Sequence, residues 1–322
     1  MKTRQLGQQG LEVSSIGLGC MGMSEFYGSF NEADSFATLS KAIDIGVWFW
    51  DTADIYGPWT NEELLGKFFK LHPNSREQIV LATKFGILRG DKGEIMGLNG
   101  HPDYIKSCCD ASLQRLGVEQ IDLYYQHRID PNVPLEDSVG AMADLVDAGK
   151  IKYVGLSEAT SEQLQIANAV HPISALQTEY SLWSRDIETD ILATCKHLGI
   201  GLVAYSPLGR GFLTGSITSR DDLESDDWRL KNPRFSEENI KQNLVIVERI
   251  NQLAKIKNCT PAQLALAWIA HRDKNYVSIP GTRNINRLQE NAMAIEVSLS
   301  VEELKQITSQ LPADLVHGDR YG

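Results

Sequence analysis

The feature that most constrains the fold is a regular alternation of short apolar runs with longer amphipathic stretches. The runs are rich in β-branched and aromatic residues, as expected for strands covered on both faces, and lie at residues 15–19, 47–52, 79–84, 121–127, 153–157, 175–179, 201–206 and 276–280. Helical patterns lie between them at residues 34–45, 62–70, 102–116, 135–148, 161–170, 186–198 and 262–271. Strict alternation predicts a parallel sheet, and eight units favour closure into an α/β TIM barrel, (β/α)8. No linker or repeat divides the chain, so we predict one domain over residues 1–322.

Two segments interrupt this alternation of strands and helices. Residues 1–13 read as a β-hairpin around Gly7-Gln8-Gln9-Gly10, placed to plug the bottom of the barrel. Residues 211–243 form a polar insertion after the seventh strand, with an acidic run at 221–227. Insertions after barrel strands lie on the face where active sites form, so this loop is a candidate lid. The alternative is a solvated acidic loop without a role.

Charge and cysteine usage exclude several function classes. The 31 basic and 42 acidic residues give a net charge of -11, which argues against nucleic acid as a partner. No stretch approaches a membrane span or a signal-peptide core, so we expect a cytoplasmic protein that binds a small molecule. No cysteine has metal-ligand or CxxC spacing, so we predict no metal site and reduced thiols at Cys20, Cys108, Cys109, Cys195 and Cys259.

A glycine-rich motif after the first strand resembles a dinucleotide-binding turn. Gly17-Leu18-Gly19-Cys20-Met21-Gly22 matches GxGxxG. The motif binds pyrophosphate only where its third glycine opens a helix. Helical periodicity here starts only near Glu32, so we favour a glycine-rich loop over a Rossmann turn.

Four polar residues share a position at or just past the end of a predicted strand: Asp51, Tyr56, Lys84 and His127. Each alone has a plain structural explanation, such as a turn cap or a surface lysine. Together they form a chemical unit, because a tyrosine protonated at neutral pH is a suitable proton donor. A nearby ammonium stabilises its phenolate and lowers the pKa of the tyrosine. A carboxylate would keep a buried lysine charged, and the histidine would orient a substrate oxygen.

These residues lie in motifs that resemble the aldo-keto reductase tetrad: residues 49–57 (Phe-Trp-Asp-Thr-Ala-Asp-Ile-Tyr-Gly), 82–84 (Ala-Thr-Lys) and 124–127 (Tyr-Tyr-Gln-His). The resemblance implies carbonyl reduction with Tyr56 as the proton donor. Residues 126–131 and 155–159 are similar to the subgroup containing pyridoxal reductases and auxin-induced-protein relatives. Two residues depart from the family pattern: Trp48, where a small or polar residue is usual, and Glu158, where asparagine is common.

The resemblance also implies an NADPH site in the second half of the chain. Ser157 and Gln177 would bind the nicotinamide carboxamide, and Tyr205 would stack on its ring. Pyrophosphate, 2′-phosphate and adenine would lie against the loops after strands seven and eight, where TIM barrels often bind phosphate; the residues there are Ser206, Leu208, Gly209, Arg210, Gly281, Thr282, Arg283, Arg287, Gln289, Glu290 and Asn291. Arg283 and Arg287 are spaced to share a helix face and clamp one phosphate, which favours NADPH over NADH.

Substrate specificity would come from the insertion at 211–243 and from pocket residues around the barrel mouth: Met23, Tyr27, Trp59, Leu88 and Trp183. One alternative function is a reductase-fold binding protein that senses cofactor state, as potassium-channel β-subunits do. A second is a barrel hydrolase or aldolase with Lys84 as a Schiff-base nucleophile.

Overall fold

The computed structural model describes residues 1–24, 31–90 and 94–321, and its centre is a sheet of eight parallel strands. Strands that are neighbours in the sheet are also consecutive along the chain, apart from one hairpin that forms a separate two-stranded sheet. The strands are β3 (Leu18–Gly19), β4 (Phe49–Asp51), β5 (Val80–Phe85), β8 (Ile121–Gln126), β9 (Ile151–Ser157), β10 (Ile173–Glu179), β11 (Gly201–Tyr205) and β12 (Tyr276–Ser278). Parallel bridges join Ile16 to Ser278 and Gly19 to Gly281, so the last strand meets the first and the sheet closes. The predicted TIM barrel is confirmed.

Helices surround the barrel, and their starts carry the expected capping chemistry. They are α1 (Glu32–Asp44), α2 (Thr60–Leu71), α3 (Pro102–Leu116), α4 (Leu135–Asp147), α5 (Ser161–Val170), α6 (Ile191–Leu198), α7 (Glu237–Ile256), α8 (Pro261–Arg272), α9 (Ile285–Ala292) and α10 (Val301–Gln310). Thr160 and Thr260 each form a capping box with a glutamine three residues later, which satisfies backbone donors of the first turn. The pattern at 186–198 is not one helix, because local bonds from the Thr189 hydroxyl to Asp186 and Asp190 compete with helical pairing.

The predicted N-terminal hairpin consists of β1 (Thr3–Gln5) and β2 (Glu12–Ser14). Leu6, Leu11 and Val13 are buried and pack with residues from the inner faces of the barrel strands. Burial of each such side chain contributes roughly 1.5–3 kcal/mol, so the hairpin acts as an apolar plug at the bottom of the barrel. Gly7 permits the tight turn, since its φ is +79° and a Cβ there would lie 2.5 Å from the carbonyl oxygen of Ser174.

The glycine-rich motif does not form a Rossmann turn. Its third glycine lies in a short 3-10 helix (Met21–Met23), and α1 begins only at Glu32. A Cβ at Gly17 would lie 2.8 Å from the ring of Phe49 and 2.9 Å from its carbonyl oxygen. The small residue is therefore required by close packing of neighbouring strands.

Two features of the barrel mouth differ from the sequence prediction. A second hairpin, β6 (Ile87–Arg89) and β7 (Ile95–Leu98), follows β5 and was not predicted, because its short strands lack an alternating apolar pattern. The insertion is not an unstructured loop. It contains 3-10 helices at Gly209–Thr214, Arg220–Asp222, Trp228–Lys231 and Pro233–Phe235, and α7 already begins at Glu237.

All five cysteines are free thiols. Within residues 1–24, 31–90 and 94–321, no helix is long and apolar enough to cross a membrane. The same part of the chain contains no cluster of His, Cys, Asp and Glu side chains suited to holding a metal ion.

Candidate active site

Three of the four predicted strand-end residues form one hydrogen-bonded unit at the mouth of the barrel. Lys84 Nζ lies 2.5 Å from Asp51 Oδ1 and 3.2 Å from the hydroxyl of Tyr56, and it also donates to the carbonyl oxygen of Thr52 at 2.8 Å. Lys84 is fully buried and Asp51 is 2% exposed. Strands β4 and β5 are parallel neighbours, and Asp51 at the end of β4 pairs with Ala82, two residues before Lys84, which brings these side chains together. All three Nζ donors therefore have partners.

Gln177, at the end of β10, belongs to the same unit. Its Nε2 donates to Asp51 Oδ2 at 2.7 Å, so each carboxylate oxygen of Asp51 accepts a hydrogen bond. The expected contact of Gln177 with nicotinamide would come from its amide oxygen or from the second N–H of Nε2. Sequence reasoning missed the link to Asp51, since the two residues are far apart in the chain.

The electrostatics of the unit keep a proton on Tyr56. Burial raises the pKa of the Tyr56 hydroxyl, and the Lys84 ammonium only partly opposes this effect, so the net shift is upward. Burial lowers the pKa of Lys84, but Asp51 and Tyr56 together raise it above its ordinary value. Lys84 is therefore an ammonium and Tyr56 a neutral phenol around neutral pH. We expected the ammonium to depress the pKa of Tyr56 overall, and burial outweighs it.

His127 follows β8 and faces Tyr56 across the mouth. The two ring centroids are 6.0 Å apart and the planes are nearly perpendicular. Burial and the nearby cations Lys84 and Arg128 hold the pKa of His127 well below its usual value. His127 Nδ1 is buried and makes no hydrogen bond to the described residues. A neutral imidazole in this position can donate a hydrogen bond to an oxygen placed between it and Tyr56.

Arg128 is a site residue that the sequence analysis did not identify. Its Nη1 donates to the carbonyl oxygen of His127 at 2.7 Å and to Ser157 Oγ at 3.2 Å. Its charge lowers the pKa values of both Tyr56 and His127, although burial is the largest influence on each. The available signal was its place directly after His127, at the end of a predicted strand.

The residues expected to hold nicotinamide lie on one rim, at the ends of three neighbouring strands. Ser157 ends β9 and is paired in register with Gln177, while Tyr205 ends β11 opposite Glu179. Ser157 is buried and Tyr205 is partly buried. The structure therefore brings the three predicted side chains to the same edge as Tyr56.

The loop after β11 has an unusual backbone. Four of the six residues at 206–211 have positive φ: Ser206 at 48°, Gly209 and Arg210 at 56°, and Gly211 at 94°. Turns of this kind can direct backbone N–H groups toward an anion. The N–H groups of Gly209 and Gly211 already donate within the loop, to the carbonyl oxygens of Ser206 and Leu208 at 2.9 and 3.0 Å. The Arg210 side chain is committed elsewhere, since its Nη2 donates to Glu179 Oε2 at 2.9 Å. Leu208, also predicted here, is half-buried.

The segment after β12 provides a helix start rather than two arginines on one helix face. Asn284 caps α9 by accepting from the N–H groups of Asn286 and Arg287. Arg283 precedes this cap and lies outside the helix, and its Nη1 donates to the carbonyl oxygen of Gly22 at 3.0 Å. The predicted i, i+4 face is therefore wrong, although Arg287 is exposed on the first turn. Of the other predicted residues, Gly281 and Gln289 are exposed, Thr282 and Glu290 are half-buried, and Asn291 is buried.

The predicted substrate-pocket residues are not all available to a ligand. Trp59 is half-exposed at the start of α2, and Leu88 is partly buried on β6. Met23 is fully buried in the hydrophobic core, and Trp183 is 1% exposed, with its ring stacked on Phe212 at 4.6 Å. Packing against core side chains leaves these two no open face. Tyr27 lies outside the described residues.

Both departures from the family pattern have structural partners. Trp48 lies near the lower end of β4, where it is partly buried and its carbonyl oxygen accepts from Val80 N–H at 2.8 Å. Glu158 has a left-handed backbone (φ 56°), and its Oε1 accepts from Thr178 Oγ1 and from the N–H of Glu179. Its Oε2 forms an ion pair with Arg320. Despite burial, Arg320 and these bonds hold the pKa of Glu158 below its usual value, so this side chain is a carboxylate.

A second buried ionic group lies behind Lys84. Glu62 accepts from Thr83 Oγ1 at 2.6 Å and from Arg115 Nε at 2.7 Å. Asp54 N–H donates to the carbonyl oxygen of Lys84, while Asp54 Oδ1 is buried without a hydrogen bond to any described residue. Burial, reinforced by Glu62, raises the pKa of Asp54 to about 8. This group supports β5 from its outer side.

Comparison with known proteins agrees with this geometry. A model of the Aldo/keto reductase family matches residues 15–311. The glycerol dehydrogenase from Gluconobacter oxydans superposes with a TM-score of 0.86 at 27% identity, over 96% of this chain and 94% of that one. A thermostable aldo-keto reductase solved with the inhibitor epalrestat gives a TM-score of 0.77 at 29% identity, over 96% of this chain and 100% of that one. Neither is described as a pyridoxal reductase or an auxin-induced protein, so that closer resemblance stays a prediction.

Proposed function

We propose that this chain, which belongs to the aldo/keto reductase family, reduces an aldehyde or ketone to an alcohol with NADPH and with Tyr56 as the proton donor. Family membership makes it an oxidoreductase that uses a nicotinamide cofactor on a small molecule. The choice of NADPH and the roles of individual residues are our proposal. The observation that carries it is Lys84 Nζ, which bonds both Asp51 Oδ1 and the Tyr56 hydroxyl.

The residues on the rim fit a phosphorylated dinucleotide. The loop at 206–211, with its left-handed backbone, is suited to the pyrophosphate. Arg287 on the first turn of α9, with Arg283 just before its cap, provides positive charge for a 2′-phosphate. Ser157 and the ring of Tyr205 border the place for nicotinamide. When bound, that ring supplies the hydride.

The chain's own residues handle the proton. A carbonyl oxygen held between Tyr56 and His127 accepts hydrogen bonds from the phenol and from the neutral imidazole. As negative charge develops on that oxygen, the Tyr56 proton moves to it, and the phenolate left behind is stabilised by Lys84, 3.2 Å away. Asp51 accepts from the ammonium, and Gln177 holds Asp51 through its other carboxylate oxygen, so both act on the proton transfer through Lys84.

The alternatives are less well supported. A Schiff-base lysine must lose its proton and approach a carbonyl, whereas Lys84 is fully buried, has three hydrogen-bond partners and has a raised pKa. A cofactor-sensing protein without turnover is less favoured, because the similar solved structures are described as a glycerol dehydrogenase and an aldo-keto reductase. The intact tetrad does not separate the two functions, and measured turnover does.

The experiment is NADPH consumption by the wild type against a panel of aldehydes and ketones, followed by Tyr56→Phe on the best substrate. We expect kcat to fall at least about a hundredfold with little change in NADPH Kd, because a general acid contributes 10²–10⁴. Tyr124→Phe is the matched control, since the buried hydroxyl of Tyr124 makes no hydrogen bond to a described residue. Near-native kcat in Tyr56→Phe removes Tyr56 from the mechanism.

A further inference from the structure

The segment after α10 runs back over the barrel mouth and is fixed to the insertion that follows β11. Asn243 bonds both the N–H and the carbonyl oxygen of His317, at 2.9 and 3.0 Å. Asn232 Nδ2 donates to the carbonyl oxygen of Arg320 at 2.9 Å. These bonds use the backbone of the segment, so they place the side chains of Arg320 and Tyr321 at the rim.

Arg320 bridges two carboxylates at the ends of neighbouring strands. Its Nη2 forms the ion pair with Glu158, and its Nε lies 3.8 Å from Glu179 Oε2. Glu179 already has Arg210 at 2.9 Å and Arg234 at 3.6 Å. Among the described residues, Arg320 is the one cation at salt-bridge distance from Glu158. Arg128 acts on this carboxylate more weakly, so Arg320 is its main counter-charge.

Tyr321 makes a separate contact with the same rim. Its hydroxyl lies 2.7 Å from the hydroxyl of Tyr205, at the end of β11. The guanidinium groups of Arg320 and Arg210 lie 5.0 and 5.4 Å from the centroid of the Tyr321 ring. These cation–π contacts orient Tyr321, and its hydroxyl in turn fixes the far end of Tyr205.

Glu158 lies where its charge would affect the binding of a cofactor. It directly follows Ser157, and its side chain is 14% exposed, so an unpaired carboxylate there would repel an anionic dinucleotide at the same rim. With Arg320 in place, Glu158 is directed toward β10, where Thr178 and the Glu179 N–H also hold it.

We infer that Arg320 and Tyr321 complete the cofactor site from the segment after α10. Arg320 neutralises Glu158 and keeps it turned toward β10, and Tyr321 fixes Tyr205 beside the nicotinamide. Both are positioning residues, and they set cofactor affinity without touching the carbonyl that is reduced. This inference rests on the proposed nicotinamide function.

The test is fluorescence titration of NADPH into Arg320→Ala, with and without Glu158→Gln. Arg320→Ala should raise the NADPH Kd at least about tenfold, with kcat at saturating cofactor within about threefold of the wild type. Adding Glu158→Gln should return Kd to within about threefold, because an amide needs no counter-charge and its oxygen still accepts from the Glu179 N–H. Tyr321→Phe should weaken NADPH about threefold or more, and a further Tyr205→Phe should add little, since both remove the same contact.

The control is Arg249→Ala, which removes an arginine bond to the carbonyl oxygen of Gln310 at the end of α10 and leaves the pair of Arg320 and Glu158 intact. It should leave NADPH Kd unchanged. Unchanged affinity in a folded Arg320→Ala, or a loss that Glu158→Gln does not repair, overturns the inference while wild-type binding still supports the proposed function. A wild type that binds neither NADPH nor NADH overturns both.

Discussion

Replacing Lys84 by methionine tests the proton-donor unit most directly. Methionine fills a similar volume in a site with no solvent exposure but removes the ammonium. Three hydrogen bonds are lost, to Asp51 Oδ1, to the Tyr56 hydroxyl and to the carbonyl oxygen of Thr52. The Asp51 carboxylate then keeps Gln177 as its remaining side-chain partner.

Two separate effects follow, one on the stability of the fold and one on the rate of hydride transfer. A buried carboxylate that loses its cation destabilises the fold by about 3–5 kcal/mol. Lys84 is also the main influence that opposes burial in setting the pKa of Tyr56, so this pKa rises further in the variant. Proton transfer then becomes harder, and we expect hydride transfer near pH 7 to slow by about 10²–10⁴.

A second substitution separates these effects. In Asp51→Asn/Lys84→Met no buried charge is left unpaired, so urea unfolding should show most of the lost stability restored. Single-turnover hydride transfer should remain slow, because the ammonium beside Tyr56 is still missing. Lys67→Met is the control, since Lys67 is 60% exposed and its ion pair with Glu32 lies on the surface. A folded Lys84→Met protein with the wild-type rate from about pH 6 to 9 would refute the reasoning.

Three further predictions concern the cofactor, pH and the barrel plug. Alanine at both Arg283 and Arg287 should weaken NADPH much more than NADH, as only NADPH carries the 2′-phosphate; an equal loss in fluorescence titrations contradicts the assignment. The pKa of Asp54 is raised to about 8 from 3.8, so its proton-linked contribution to stability is fully present below about pH 4 and is lost as pH rises to about 8. Asp54→Asn should therefore flatten the fall in unfolding free energy over that interval, and an unchanged slope in urea titrations counts against the raised pKa. Gly7→Ala should destabilise by about 1–3 kcal/mol through its positive φ and the 2.5 Å approach to a carbonyl oxygen, whereas Gly140→Ala, with open space around it, should not; equal melting temperatures would be inconsistent with the strain.

The barrel was predictable because each strand is a short apolar run and each helix has its own periodicity. The tetrad was predictable for a related reason, since strand ends in a parallel barrel meet at one face. Thus Asp51 and Lys84, 33 positions apart, could be placed together without any contact information. The predicted direction of the pKa shift of Tyr56 was wrong, because burial of the hydroxyl outweighs the effect of the ammonium.

What could not be predicted depends on contacts between distant segments or on local backbone geometry. Arg320 carries no pattern that connects it to Glu158, since the two are 162 positions apart. Arg283 was assigned to a helix face by spacing, but Asn284 caps α9 one residue later. Trp183 looked like a pocket aromatic, and its stacking on Phe212 buries it.

The way the barrel closes determines where the folded sheet opens most easily. Strands β8, β9, β10 and β11 share ladders of several residue pairs. Within the described part of the chain, the first and last strands meet through isolated bridges, from Ile16 to Ser278 and from Gly19 to Gly281. Few backbone hydrogen bonds hold this seam, so opening it in the folded protein costs less free energy than opening the longer ladders. Amide hydrogens at Gly17 and Gly19, which bond to Ser278 and Pro280, should therefore exchange with solvent well before those of β8 and β9. We therefore expect the barrel to open first along this seam, which lies beside the loop that follows β12.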